Sequence, residues 1–115
     1  MSKRIERVNE LIKREIAQII KREIELPEGS LITVLSVQTT RDLQEAKIWL
    51  SIFPFSSAIK TLRGINKKIG YLQGLLNRRL RMRPLPRIAF ALDYSEEKTN
   101  QIEDILRGLD KEKIL

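Results

Sequence analysis

Apolar residues recur along the chain with two different spacings, and the first spacing predicts a helix. At the start of the chain they are three or four residues apart, which places them on one stripe of an amphipathic helix. These residues are Ile5, Val8, Ile12, Ile16, Ile19 and Ile20. Ser2 is a suitable N-cap for this helix. Residues 27–30, with Pro27 and Gly29, then break the chain.

Two segments with a spacing of two residues follow, and they predict adjacent strands. Residues 31–40 are rich in β-branched side chains. This strand would place on one side Leu31, Thr33, Leu35, Val37 and Thr39. The second strand ends at Pro54, and its apolar positions are Ala46, Ile48, Leu50 and Ile52. We interpret Trp49 and Phe53, which alternate with them, as sheet packing in preference to stacking platforms for bases. The short link between the segments favours an antiparallel pair.

A helical segment that is interrupted by glycine comes next. Its first stripe consists of Ile59, Leu62, Ile65 and Ile69, with Ser56 or Ser57 as the cap. We expect a bend near Gly70 and a second helix from Tyr71, whose stripe is Tyr71, Leu72, Leu75, Leu76 and Leu80. Arg78 and Arg81 point away from this stripe, whereas Arg79 falls inside it, with its stem packed and its head extended towards solvent. Pro84 and Pro86 close the second helix.

The end of the chain predicts one more strand and one more helix. Ile88, Phe90 and Leu92 alternate with smaller or basic residues, which is typical of a strand. A short helix follows, marked by Ile102, Ile105, Leu106 and Leu109. The predicted order is α-β-β-α-kink-α-β-α, an α+β fold with helices on one face of a three-stranded sheet. We expect a single domain over residues 1–115, with residues 1–3 flexible and a C-terminal helix and short tail in 94–115.

Charge is distributed very unevenly along the chain. The net charge is +7, and residues 46–92 contain ten basic residues and no acidic one. The rest of the chain holds the other twelve of the 22 basic residues and all 15 acidic residues. The ten are Lys47, Lys60, Arg63, Lys67, Lys68, Arg78, Arg79, Arg81, Arg83 and Arg87. A block of one sign attracts a polyanion, although a merely solvated basic face stays an alternative.

The composition argues against enzymatic and membrane functions. The chain has no His and no Cys, which removes most nucleophile–base pairs and most transition-metal sites. Asp42 and Glu45 are three residues apart in a turn, where strand-linking hydrogen bonds are the favoured interpretation. No apolar run approaches the roughly 20 residues that cross a bilayer. We therefore predict a soluble cytoplasmic protein with no catalytic residues, no metal and no cofactor.

The element order resembles a type II KH domain, a module that grips RNA between two helices. A KH domain usually carries a G-x-x-G loop there, and no pair of glycines in this chain has that spacing. From Arg4 to about Asp93 the chain closely resembles the ribosome-binding factor A family. The shared segments are Arg7-Val8, residues 34–37, Arg41-Asp42-Leu43, residues 46–51, Gly70-Tyr71-Leu72, residues 80–83 and residues 86–90. In that family an Ala-x-Gly elbow replaces the loop; here the elbow is Lys68-Ile69-Gly70, with lysine in place of alanine.

This resemblance implies a non-enzymatic RNA-binding assembly factor. Such factors bind the free small (30S) ribosomal subunit, contact 16S rRNA and assist late maturation and processing of its precursor, notably in the cold. They act as monomers without a cofactor, and a ribosome-associated GTPase can promote their release. We expect the family's longer C-terminal extension to be absent, because this sequence stops at Leu115.

The elbow and second helix are the predicted RNA-binding site. Glycine at position 70 allows close approach of a phosphate and tolerates positive φ, and helix-start amides add partial positive charge. The candidate residues are Lys67, Lys68, Gly70, Tyr71, Arg78, Arg81, Arg83 and Arg87. Gly70 as a simple helix C-cap is an alternative, and the role of Tyr71 is open. A DNA-binding or protein-interaction module that uses the same basic face is the alternative function.

Overall fold

The computed structural model describes residues 3–82 and 85–93 of the chain. Within these residues the helices and strands follow the predicted order, with one turn of 3-10 helix at Phe55–Ser57. They are α1 (Lys3–Glu23), β1 (Leu31–Thr39), β2 (Glu45–Phe53), α2 (Ala58–Lys67), α3 (Ile69–Arg79) and β3 (Arg87–Leu92). The predicted Ser2 cap and the predicted C-terminal helix in 94–115 lie outside the described residues.

The strands form a sheet in the order β1-β2-β3. β1 and β2 are antiparallel, because the turn at residues 40–44 returns the chain directly. β3 pairs with β2 in parallel, which requires the long crossover that α2 and α3 supply. The α+β architecture predicted from the spacing of apolar residues is confirmed.

The core lies between the helices and one face of this sheet. The predicted stripe of α1 is buried from Val8 to Ile20, and Ile12 and Ile16 are fully buried. On the sheet side the buried residues are those that alternation predicted, Ala46, Ile48, Leu50 and Ile52 on β2 and Ile88, Phe90 and Leu92 on β3. Truncating one of the fully buried isoleucines to alanine costs about 2–5 kcal/mol of stability. The three helices of the described residues, α1, α2 and α3, are therefore held on a single face of the sheet.

The prediction that alternate residues from Leu31 to Thr39 share one side of β1 is wrong, because a β-bulge interrupts the alternation. The register with β2 shifts between Val34 and Ser36, so Leu35 is an extra residue. Ile32 and Val34 face the core before the bulge, and Val37 and Thr39 face it afterwards. Leu31 and Leu35 are exposed instead, at 61 % and 38 %. One inserted residue thus places two of the five predicted residues, Val37 and Thr39, on the face opposite to Leu31 and Thr33.

Contrary to the prediction, the side chain of Ser57 does not cap α2. It occupies the N-cap position, but it makes no side-chain hydrogen bond to the helix. Its hydroxyl donates instead to the carbonyl oxygen of Pro54 at 3.1 Å, inside the turn of 3-10 helix. Ile59, which was assigned to the stripe of α2, is 55 % exposed, and Ala58 and Ile65 are the buried residues of that helix.

Candidate nucleic-acid interface

The interruption between α2 and α3 lies at Lys68 and sets the geometry of the elbow. Lys68 has φ −101° and ψ 11°, in the sparsely populated region between helix and strand. Its N–H donates to the carbonyl of Ile65 at 3.0 Å, and its own carbonyl accepts the N–H of Leu72 at 2.9 Å. One residue therefore closes the last turn of α2 and opens the first turn of α3.

Gly70 does not make the bend, which corrects the prediction from the sequence. It is the second residue of α3, and among the described glycines only Gly29 has a positive φ, 85°. The bend that was predicted near Gly70 is present, but it lies two residues earlier, at Lys68, whose conformation is open to any residue type. A Cβ on Gly70 would meet no atom within 4 Å. Gly70 therefore leaves the backbone of α3 open to an approaching ligand, and no tight turn depends on it.

The first turn of α3 carries a local positive potential. The first N–H groups of a helix have no carbonyl partner within it, and no side chain caps this helix at Lys68. The first turn contains no carboxylate, and Lys67 and Lys68 are both exposed. Two ammonium groups thus add to the partial positive charge of a helix N-terminus, a combination suited to a phosphate.

Tyr71 lies beside this turn and is tied to the end of α1. Its side chain is 53 % exposed, and its hydroxyl donates to Oε1 of Glu23 at 2.9 Å. That hydrogen bond and the negative charge of Glu23 raise the pKa of Tyr71. The hydroxyl is therefore protonated at neutral pH and already has an acceptor, which leaves the ring as the part of Tyr71 that a ligand can contact.

The charges on the α1 side of the elbow are mixed. A groove between residues 23–27 and α2 is lined by Lys60 and Lys68, but also by Glu23 and Glu25. These carboxylates oppose an entering phosphate. The face that runs from the elbow along α3 is thus more favourable to a polyanion than this groove.

Arg78 and Arg79, at the end of α3, have different surroundings. Arg78 is exposed, and its charge acts on Tyr71, opposing the larger effect of Glu23 on the tyrosine pKa. Arg79 is half-buried, and its Nη1 donates to Oε1 of Glu15 and Oε1 of Gln18, both at 3.1 Å. The predicted solvent-directed head of Arg79 is wrong, since this guanidinium joins α3 to α1.

Arg81 lies beyond α3 rather than on its face. The helix ends at Arg79, and Leu80 is extended, with φ −104° and ψ 129°. α3 therefore stops before the prolines that were expected to close it. An 11-residue helix is about 16 Å long, so the exposed Arg81 and the elbow belong to opposite ends of α3. Arg83 lies outside the described residues.

Arg87 is separated from the elbow as well. It is the first residue of β3 and is exposed, while its neighbour Ile88 faces the core. Its side chain therefore belongs to the sheet face that the helices leave open. The structure brings together Lys67, Lys68, Gly70 and Tyr71, extends them to Arg78, and leaves Arg81 and Arg87 apart.

Gln73 is a positioning residue that the sequence did not reveal. Its Nε2 donates to the carbonyl of Pro86 at 3.1 Å, and its Oε1 accepts the N–H of Ile88 at 2.8 Å. These two bonds satisfy backbone groups at the start of β3, an edge strand. The sequence around Gln73 indicates only a polar position on a helix. No local pattern shows that its side chain binds the backbone of β3.

Trp49 and Phe53 are outside the helix-covered core. The residues of β2 that alternate with its buried set face the open side of the sheet. Phe53 is 60 % exposed there, so the predicted sheet packing is wrong for Phe53. The indole N–H of Trp49 donates to Oε1 of Gln38 at 3.0 Å, and Nζ of Lys47 lies 5.1 Å from the ring centroid.

The turn between β1 and β2 has a structural role. Oδ1 of Asp42 accepts the hydroxyl of Thr40 at 2.6 Å and the N–H of Gln44 at 3.1 Å, so the hydrogen bonds of this carboxylate lie within the turn. The Thr40 hydrogen bond, followed by that of Gln44, lowers the pKa of Asp42.

Within residues 3–82 and 85–93 no group of acidic side chains is placed to hold a metal ion. None of the helices in the same part of the chain is long and apolar enough to span a membrane.

A family model and a curated relative match most of this chain. The model described as ribosome-binding factor A matches residues 4–106. Ribosome-binding factor A of Akkermansia muciniphila is 36 % identical over 111 residues, covering 96 % of this chain and 88 % of that protein.

Solved structures give the same similarity. The crystal structure of ribosome-binding factor A from Thermus thermophilus matches with a TM-score of 0.66 and 26 % identity, over 76 % of this chain and 94 % of that one. A homology model of the Thermus thermophilus factor, fitted into the cryo-EM map of a 30S complex of that factor, matches with a TM-score of 0.62 and 30 % identity, over 74 % and 90 %.

Proposed function

The chain belongs to the ribosome-binding factor A family, and from that membership we propose that it binds the free 30S ribosomal subunit. There it contacts 16S rRNA and assists the late maturation and processing of the precursor. The observation that carries this proposal is the similarity to a factor fitted into a 30S complex. The absence of acidic residues between positions 46 and 92 supports it independently, because a surface of one sign favours a polyanion.

The elbow and α3 supply the main RNA contact in this proposal. A phosphate binds at the first turn of α3, where Lys67 and Lys68 add charge and Gly70 leaves the backbone uncovered. Arg78 continues the contact along the exposed side of the helix. Arg81, Arg83 and Arg87 contribute only if the RNA extends past the far end of α3 or round to the sheet.

The mode of action is binding without catalysis. The protein works as a monomer in the cytoplasm, where ribosomes are assembled, and it requires no cofactor. By holding one arrangement of the precursor RNA, it lowers the population of misfolded alternatives. Those alternatives resolve most slowly in the cold, which makes cold growth the most sensitive condition. Release by a ribosome-associated GTPase is part of the same proposal.

Deletion of the gene tests the maturation role. We expect slow growth that worsens as the temperature falls, together with accumulation of precursor 16S rRNA with unprocessed ends and an excess of free subunits. Re-expression of the chain should reverse all three effects. Normal precursor processing in a cold-grown deletion strain would contradict the maturation role.

A competition assay separates this function from the alternative of a general DNA-binding module. The full-length protein, bound to labelled small-subunit RNA, is challenged with unlabelled RNA or duplex DNA of equal phosphate content. RNA should displace the label at a lower concentration. Equal displacement by duplex DNA would favour the alternative.

A further inference from the structure

The sheet face opposite the helices carries an aromatic platform, which we define by Trp49, Lys47 and Gln38. No helix among the described residues packs on this face, since the buried side chains of β2 and β3 all point the other way. The cross-strand neighbours of Trp49 are Ser36 on β1 and Ala91 on β3. Both are small, whereas the bulge residue Leu35, which precedes Ser36, is larger and 38 % exposed.

The orientation of Trp49 is fixed by its polar edge. The indole N–H donates to Gln38, its diagonal neighbour on β1, at 3.0 Å. The acceptor of the indole N–H therefore lies on the sheet itself. Trp49 is half-buried, and in the free protein the ammonium of Lys47 lies over its ring, 5.1 Å from the centroid.

The open sheet face carries both charged and apolar exposed side chains. Lys47 and Arg87 are exposed on it, and Glu45 is the register partner of Arg87. The same face also carries an exposed apolar pair, Leu31 and Phe53, which are register partners at the other end of β2. A nucleotide needs one aromatic ring for its base and one nearby cation for its phosphate, and Trp49 and Lys47 supply this pair.

We propose that the platform binds one unpaired base of RNA, stacked on Trp49, with Lys47 moving from the ring to the adjacent phosphate. An exposed cation–π contact is weaker than a base–aromatic stack, so the exchange is favourable. This is a second RNA contact, on the opposite side of the molecule's core from the elbow, and it rests on the proposed function. It also gives Arg87 a place, because Arg87 lies on this face and not at the elbow.

Fluorescence tests the stacking directly, because Trp49 is the single tryptophan of the chain. The full-length protein is titrated with a short single-stranded RNA oligonucleotide, and separately with an abasic oligonucleotide of the same length and charge. We expect saturable quenching with the first. The abasic strand should bind through its phosphates, as measured by anisotropy of a terminal label, but leave the emission of Trp49 almost unchanged. Equal quenching by the two strands, or binding of RNA without quenching, would overturn the proposal.

Substitutions of Trp49 provide a second test of base stacking. Trp49→Leu should weaken binding of the single-stranded RNA by roughly 5- to 150-fold, the loss that removal of a base–aromatic stack produces. Trp49→Phe keeps an aromatic ring and should restore most of the affinity. The melting temperature of each variant is compared with that of the wild type. A folded Trp49→Leu protein with wild-type affinity would overturn the proposal, and the wild-type titration decides the matter if that variant fails to fold.

Acrylamide quenching distinguishes RNA from a covering segment of the same chain. We expect Trp49 to be accessible to acrylamide in the free full-length protein and protected by the RNA oligonucleotide. If Trp49 is already protected in the free protein, residues 94–115 or a second copy occupy the face, and the proposal fails. Wild-type protein that binds 30S subunits but does not stack a base would refute this inference alone. Stacking without any 30S binding would refute the proposed function instead.

Discussion

Arg78 and Arg79 are adjacent and chemically identical, but their neighbours assign them different roles. We expect Arg78→Gln to weaken RNA binding and to flatten the dependence of log Kd on log salt by about one unit, because one phosphate contact is lost. The free energy of unfolding should stay within about 0.5 kcal/mol of the wild type, as for most exposed positions.

Arg79→Gln is the matched control, with the same change in net charge. It removes the hydrogen bonds to Glu15 and Gln18, so it should lower the free energy of unfolding by about 1–2 kcal/mol. Denaturant titration and salt-dependent RNA binding measure both properties. If the two variants lose RNA affinity equally, net charge and not position governs binding.

The proposed role of Gly70 depends on its having no side chain, which leaves the backbone of α3 uncovered. The backbone at Gly70 is helical and a Cβ would meet nothing within 4 Å, so Gly70→Ala should stabilise α3 by up to about 1 kcal/mol. RNA affinity should nevertheless fall by about tenfold, because a methyl group keeps a phosphate from the first-turn amides.

Gly64 offers the control for this substitution. It is exposed and lies within α2, and a Cβ at this position would also meet no atom within 4 Å. Gly64→Ala should therefore raise the melting temperature without reducing RNA affinity. Wild-type affinity of Gly70→Ala, measured in parallel, would mean that the backbone at the elbow does not contact RNA.

Among the elements, β3 depends on a single side chain of α3. Gln73→Met retains the length of the side chain but leaves the Ile88 N–H and the Pro86 carbonyl without their partner. We expect a loss of about 1–3 kcal/mol in the free energy of unfolding. Gln73→Glu preserves the acceptor for Ile88 and should lose less. Thermal unfolding compares the three proteins, and equal stability of all three would show that water replaces both bonds.

The sequence predicted the buried face of an element well where one spacing of apolar residues holds along its whole length. It predicted that face poorly where a single residue interrupts the spacing. Alternation along β2 and β3 identified their buried residues, because nothing disturbs those strands. The same rule failed on β1, since the bulge at Leu35 is not visible without the partner strand. The helix interruption was expected, but it was assigned to Gly70, because glycine is the usual cause of such a break and Lys68 carries no signal for one.

At the scale of the whole molecule, the sequence predicted that the surface charge is positive. It did not predict how folding distributes the basic residues over different faces. Ten cations without a carboxylate form one block in the chain. Folding sends Lys67, Lys68 and Arg78 to the helical side, commits Arg79 to an ion pair with α1, and sends Lys47 and Arg87 to the open sheet face. Such a division follows from long-range pairing, as between Arg79 and Glu15, which local spacing does not encode.

Sedimentation with purified ribosomal particles tests the central claim most directly. The full-length protein is mixed with 30S subunits, 50S subunits or joined ribosomes, and the bound fraction is measured after centrifugation through sucrose. A double substitution at the elbow, Lys67→Gln with Lys68→Gln, is compared with Arg7→Gln combined with Arg14→Gln on the exposed side of α1. Both double variants lower the net charge by two.

We predict that the wild type binds free 30S subunits in preference to 50S subunits and joined ribosomes. The elbow variant should lose most of that binding, while the α1 variant should retain most of it. Wild-type protein that does not sediment with 30S subunits would contradict the proposed function. Equal losses in the two variants would contradict the placement of the RNA contact at the elbow.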